Sequence, residues 1–441
     1  MSNSSSSTRE IWGWAFYDFA NSAYSTAIVV IFNVYFVQVV VGPDGFSLLG
    51  FRVSGSALWG YAASTSMLLV ALSAPILGAI ADFKASKKRF LFFFCYAGVF
   101  ATALLSLAGP GEVWVAIVFY ILSNMGMEAS LTFYNGFLPE ITTSERMGRI
   151  SGFGWALGYV GGLLCLLLCL GLIRRPDWFG LPGSDYIPIR ASLVLVAAWW
   201  GIFSIPTFLW LRERAQEREL PPKTSYLKIG FQRLLETFRK VHQFRELVKF
   251  LVAFLIYNDG VQTVILIASV FGAQVLGMSQ NELILSFILI QFVAFFGALL
   301  FGYLGDRMMT KSAIHITLFI WTGAILYALV IDQSWQFWVL AVIIGFALGG
   351  IQACSRSLLA QFTPPEHSGE FFGFFAAGGK FAAIFGPALF GLITDLTGSP
   401  RYGVGSVLFF LILGWSLLCF VDEKKGILES QQAVSQGNSK S

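Results

Sequence analysis

Residues 12–35 read WGWAFYDFANSAYSTAIVVIFNVY. A helix needs about 20 apolar residues to cross a bilayer, and this stretch supplies them. Asp18, Asn21, Ser22 and Tyr24 nevertheless fall close together inside it. A carboxylate at the centre of a spanning helix costs roughly 2.5–3.5 kcal/mol on insertion scales, so such a group usually faces a water-filled cavity or a partner. Asp18, Asn21 and Ser22 are spaced i, i+3, i+4 and share one helical face. That face is expected to line a transport pathway.

The rest of the chain supports a membrane reading. Of 441 residues, 56% are hydrophobic and only 12% are charged, where soluble domains run near 25% charged. A hydropathy window of about 19 residues separates apolar segments at residues 11–41, 55–81, 90–109, 113–136, 149–173, 190–211, 247–275, 282–304, 312–331, 336–361, 370–396 and 402–421. The expected fold is all-α, with twelve transmembrane helices in two six-helix, pseudo-symmetric halves. Residues 1–10 form an N-terminal tail, 11–211 the first half, 212–246 a linker, 247–421 the second half, and 422–441 a disordered tail. With the N-terminus inside, Lys and Arg concentrate in the inner loops and are sparse in the outer ones. This bias predicts that both termini are cytoplasmic. Within the linker, Leu227, Phe231, Leu234, Leu235, Phe238, Val241 and Phe244 are helix-spaced among basic residues. They predict an amphipathic helix on the inner membrane surface.

The two halves repeat. Gly78-Ala-Ile-Ala-Asp82-Phe-Lys84 after the second span matches Gly302-Tyr-Leu-Gly-Asp306-Arg307 after the eighth. Glu145-Arg-Met-Gly148-Arg-Ile-Ser-Gly152 matches Glu366-His-Ser-Gly369-Glu-Phe-Phe-Gly373, and Tyr17-Asp18-Phe-Ala-Asn21-Ser22 matches Asn258-Asp259-Gly-Val-Gln262-Thr263. Repeated halves of this kind place a transporter's site at their interface.

The paired Gly-x-x-x-Asp loops resemble the signature of the major facilitator superfamily. Within it, WAFYDFANSAYST and SGFGWALGYVGG (Ser151–Gly162) are similar to bacterial relatives of the autophagy-linked vacuolar amino-acid effluxer. The resemblance implies a twelve-helix, alternating-access carrier, usually a monomer, in a bacterial inner membrane, whose eukaryotic cousins export amino acids. It also implies that Gly78, Asp82, Gly302, Asp306 and Arg307 form gating loops. An aspartate there would be drawn to the positive end of a neighbouring helix.

Candidate pathway residues are Asp18, Asn21, Tyr24, Asn124, Glu128, Asp259, Gln262, Arg356 and Lys380. Asp18 and Asp259 stand at corresponding positions of the two halves and would carry a proton or meet a substrate amine; the alternative is capping near a helix end. Asn124 and Glu128, spaced i, i+4, share a face of the fourth span. Arg356 and Lys380 could pair with Asp259 or Glu128, or hold a substrate carboxylate, Arg doing so through two parallel bonds. Tyr134 and Asn135 read as structural. Trp155 and Tyr159 lie near the polar faces.

The five cysteines read as core residues without disulfides. Neither a nucleotide-binding loop nor a His or Cys cluster is apparent, so no cofactor or metal is expected. The expected function is secondary active transport of a small polar or zwitterionic solute, amino acids among them, with proton coupling. The alternatives are a carrier of peptides, sugar-peptides or amphipathic lipids, and a non-transporting sensor of the same fold. The partners expected are the solute and the bilayer, not nucleic acid. Without a nucleophile and base at workable spacing, an enzyme is not expected.

Overall fold

The computed structural model describes residues 7–48, 50–214, 228, 241–382 and 385–438. The N-terminal half is built from α1 (Thr8–Val41), α2 (Gly55–Lys84), α3 (Lys87–Leu107), α4 (Val113–Ile141), α5 (Ser144–Arg174) and α6 (Ile187–Trp210). The second half follows as α7 (Arg245–Leu276), α8 (Gln280–Met308), α9 (Thr310–Ala328) and α10 (Ser334–Phe362). Then come α11 (Ser368–Ala382), α12 (Phe385–Thr397), α13 (Pro400–Cys419) and α14 (Glu423–Asn438). A short hairpin, Phe46–Leu48 with Phe51–Val53, joins α1 to α2.

Local chemistry sets many of these ends. Ser7 accepts the Glu10 amide at the start of α1, and Ser54 does the same for Ala57 in α2. Ser279 and Glu282 form a reciprocal capping box on α8. The C-terminal part of α1 is wound more loosely, with π-helical turns at Ile28–Phe32 and Phe36–Val41.

The segment at 370–396 is helical wherever it is described, as α11 up to Ala382 and as α12 from Phe385. Two expectations need correction. The tail expected to be disordered contains α14, ordered by contacts rather than by propensity. Glu423 accepts the amides of Thr310 (2.9 Å) and Lys311 (2.8 Å) at the start of α9, and Glu429 accepts the Glu246 amide (3.1 Å). Burial pushes the Glu423 carboxyl upward, against those two amide bonds. Finally, Cys419 is exposed, while the other four cysteines are buried; all five are free. The amphipathic segment predicted in the linker lies largely outside the described residues.

The ends that carry both termini are tied together. Arg214, just past α6, pairs with Glu10 at 2.7 Å and donates to the Glu140 carbonyl at the end of α4. Across the molecule, the halves meet where α5 packs on α8 and α2 on α11. Gly148 and Gly302 face each other so closely that a Cβ on Gly148 would stand 2.5 Å from the Gly302 carbonyl oxygen.

Candidate functional site

The inter-half seam at the termini end is held by three polar clasps. In the first, Asp82 at the end of α2 accepts the amides of Gly369 (3.1 Å) and Glu370 (3.0 Å), at the start of α11. Lys87 is wholly buried beside it, 3.4 Å from Asp82 and paired also with Glu140. Its ammonium donates across the seam to Ser368 (2.7 Å) and to the Pro365 carbonyl (3.3 Å). Gly78 packs directly on the Gly369 backbone. The second clasp repeats the first by pseudo-symmetry: Asp306 accepts the amides of Gly148 (2.7 Å) and Arg149 (3.1 Å) at the start of α5. Its cation is Arg149, 3.1 Å away and half-exposed. Arg307 stays outside, stacked on Tyr303. Both carboxylates thus meet free amides at the positive end of a helix from the opposite half.

The third clasp lies deeper. Arg356, on α10, donates to Asp18 at 2.8 Å, and both side chains are almost fully buried. The guanidinium also donates to the Ser151 hydroxyl (3.0 Å), the Ser151 carbonyl (2.7 Å) and the Asn135 amide oxygen (3.4 Å). The rings of Trp14, Tyr134 and Trp155 surround it, with centroids 4.8, 5.8 and 5.1 Å away. Stacking of this kind suits a delocalised, weakly hydrated cation. Gly154 of α5 makes room for the pair, since a Cβ there would come 2.6 Å from the Asp18 carboxylate.

The structure redistributes the expected site. Arg356 pairs with Asp18 and not with Asp259 or Glu128. Asp259 instead accepts the Gly386 amide through both oxygens (3.0 Å each), joining α7 to α12. Tyr24 bonds Ser123 (2.8 Å), fixing α1 to α4, and Asn124 donates to Ser66 on α2 (2.8 Å). Glu128 is buried and Gln262 half-buried. Lys380 lies on α11, but its side chain is outside the described residues. Asn135, read as structural, joins the central clasp. It is the repeat mate of Arg356 at the same spacing that links Gly148 to Gly369. Lys87, Glu140, Ser151 and Ser368 were not singled out from sequence. That repeat spacing, carried onto residue 356, would have marked Asn135 as facing it.

Eleven helices long and apolar enough to cross a membrane among the described residues, in two interlocked, repeated halves, define a transporter of the major facilitator fold. Solved structures of that fold agree: the major facilitator superfamily transporter FucP in its outward conformation superposes with a TM-score of 0.70 at 12% identity, over 94% of this chain and 99% of that one. The human organic anion transporter MFSD10 superposes with a TM-score of 0.69 at 13% identity, over 93% of this chain and 98% of that one. The family model described as "Vacuole effluxer Atg22 like" matches residues 6–431, and the chain belongs to that family. It is 33% identical to the uncharacterized MFS-type transporter YxiO of Bacillus subtilis, over 96% of this chain and 97% of that protein. It is 26% identical to Autophagy-related protein 22 of Yarrowia lipolytica, over 84% of this chain and 76% of that protein.

Proposed function

We propose that this transporter moves a small zwitterionic solute, amino acids foremost, by alternating access with proton coupling. The buried Asp18–Arg356 pair carries the reading: it sets one negative and one positive group face to face on the seam between the halves. A solute bearing both charges meets a matched partner on each side. The relationship to vacuole effluxers supports carriage of a solute across a membrane, and the sequence resemblance implies amino acids as its class. The carboxylates Asp18 and Asp259, one per half, are the proton-carrying groups, and the Asp82 and Asp306 clasps gate the termini end. The Lys and Arg distribution supports a cytoplasmic position for both termini, in a bacterial inner membrane, with the chain working as a monomer.

Counterflow in proteoliposomes with a panel of labelled amino acids, at acidic and neutral pH, tests this. Saturable exchange of one class, lost in Asp18→Asn, is expected. Absence of exchange for every amino acid would overturn the substrate class.

A further inference from the structure

Arg356 belongs to the C-terminal half, yet among the described residues the hydrogen bonds of its guanidinium all end on N-terminal-half groups: Asp18, Asn135 and two atoms of Ser151. Opening the termini end must strip all of them at once. Asp18 and Arg356 are both buried, so pulling them apart without a replacement strands two charges in a poorly solvating interior. Beside the pair, two buried donors lack a hydrogen-bond partner among the described residues: the Asn21 amide nitrogen, one turn along α1 from Asp18, and the indole nitrogen of Trp155, whose ring stacks on Arg356. Both are donors, and both suit an incoming acceptor.

Resting on the zwitterion reading above, we infer that the Asp18–Arg356 pair is a lock that a zwitterion splits. The solute's carboxylate takes the place of Asp18 on Arg356, with the Asn21 and Trp155 donors available to its oxygens. Its ammonium takes the place of Arg356 at Asp18. Each buried charge then keeps an opposite partner while the halves separate. An amine alone leaves Arg356 unpaired, and a carboxylate alone leaves Asp18 unpaired, so neither opens this end. The same rule keeps the empty carrier shut here and suppresses leak.

Spin labels at Thr143→Cys and Met308→Cys, near the ends of α5 and α8, would report the separation of the halves, with Cys419→Ser removing the exposed native thiol. The full chain is measured in lipid nanodiscs with a pool of neutral L-amino acids, with the matching decarboxylated amines, and with the matching deaminated carboxylates. Without solute, only the short distance is expected. The amino-acid pool should add a longer-distance population, and neither single-charge pool should. The Asp18→Asn/Arg356→Gln double variant should show the longer population with no solute, while Arg356→Lys, which keeps the charge, should stay closed and serve as a folding control. A double variant as closed as the wild type overturns the lock. Equal opening by a single-charge pool overturns the splitting rule. If the double variant stands open but no pool opens the wild type, the zwitterion reading falls with the splitting rule and the lock alone stands.

Discussion

At the scale of single residues, the arrangement turns on one guanidinium. Arg356 directs its planar array of donors to a carboxylate, an amide oxygen, a hydroxyl and a carbonyl. Lysine carries the same charge as a point and cannot reach those acceptors together. Arg356→Lys should therefore lower initial counterflow rates about tenfold or more, each factor of ten reflecting ~1.4 kcal/mol. Removing one partner of a buried pair leaves the other uncompensated, which costs about 3–5 kcal/mol. Asp18→Asn should accordingly lower the melting temperature in detergent, and Arg356→Gln added to it should restore part of the loss. Additive losses in that double-mutant cycle would show that the two groups are not coupled. Asp18 and Arg356 were both visible in the sequence as charges within apolar spans. Their pairing was not, because it depends on which helices meet, and the residues lie 338 positions apart. Asn135 shows how much the repeat contained: its spacing from Arg356 was already fixed by the matched glycines.

At the scale of elements, the two loop clasps share a plan but differ in setting. Lys87 is sealed between Asp82 and Glu140, whereas the Arg149 side chain is half in solvent. Exposed ion pairs contribute about 0–1 kcal/mol, and salt screens them. Lys87→Ala should destabilise the protein by about 3–5 kcal/mol, as expected for a broken buried pair, while Arg149→Ala should cost under about 1 kcal/mol. Thermal unfolding at low and high salt checks both, and equal losses would contradict the difference in burial. The loops themselves were legible through Gly78-x-x-x-Asp82 and Gly302-x-x-x-Asp306. Their lysine and glutamate partners were not, since a basic run beside an apolar span reads first as a topology signal.

At the scale of the whole molecule, α14 binds the second half into one body. Its Glu423 caps α9, its Glu429 meets the start of α7, and Gly426 lies against the Phe362 ring at the end of α10. Deleting residues 423–441 uncaps α9 and should lower the melting temperature, losing about 0.5–2 kcal/mol for the cap alone. An unchanged transition would mean that the helix only rests on the bundle. The sequence read as a disordered tail there because its polar composition carries no core of its own, and its order comes from the helix ends that it covers. The all-α, major facilitator plan was legible throughout, since span length and repeats act locally or at fixed spacing.

For solute to cross, the halves must part at the termini end. Arg149 and Tyr303 meet across α5 and α8, with the guanidinium 5.1 Å from the ring centroid. Arg149→Cys and Tyr303→Cys, placed together in the Cys419→Ser background, allow the seam to be bridged by oxidation or a short cross-linker in proteoliposomes. Amino-acid counterflow should be lost on bridging and return on reduction. Counterflow that continues undiminished through the bridged protein would contradict alternating access at this seam.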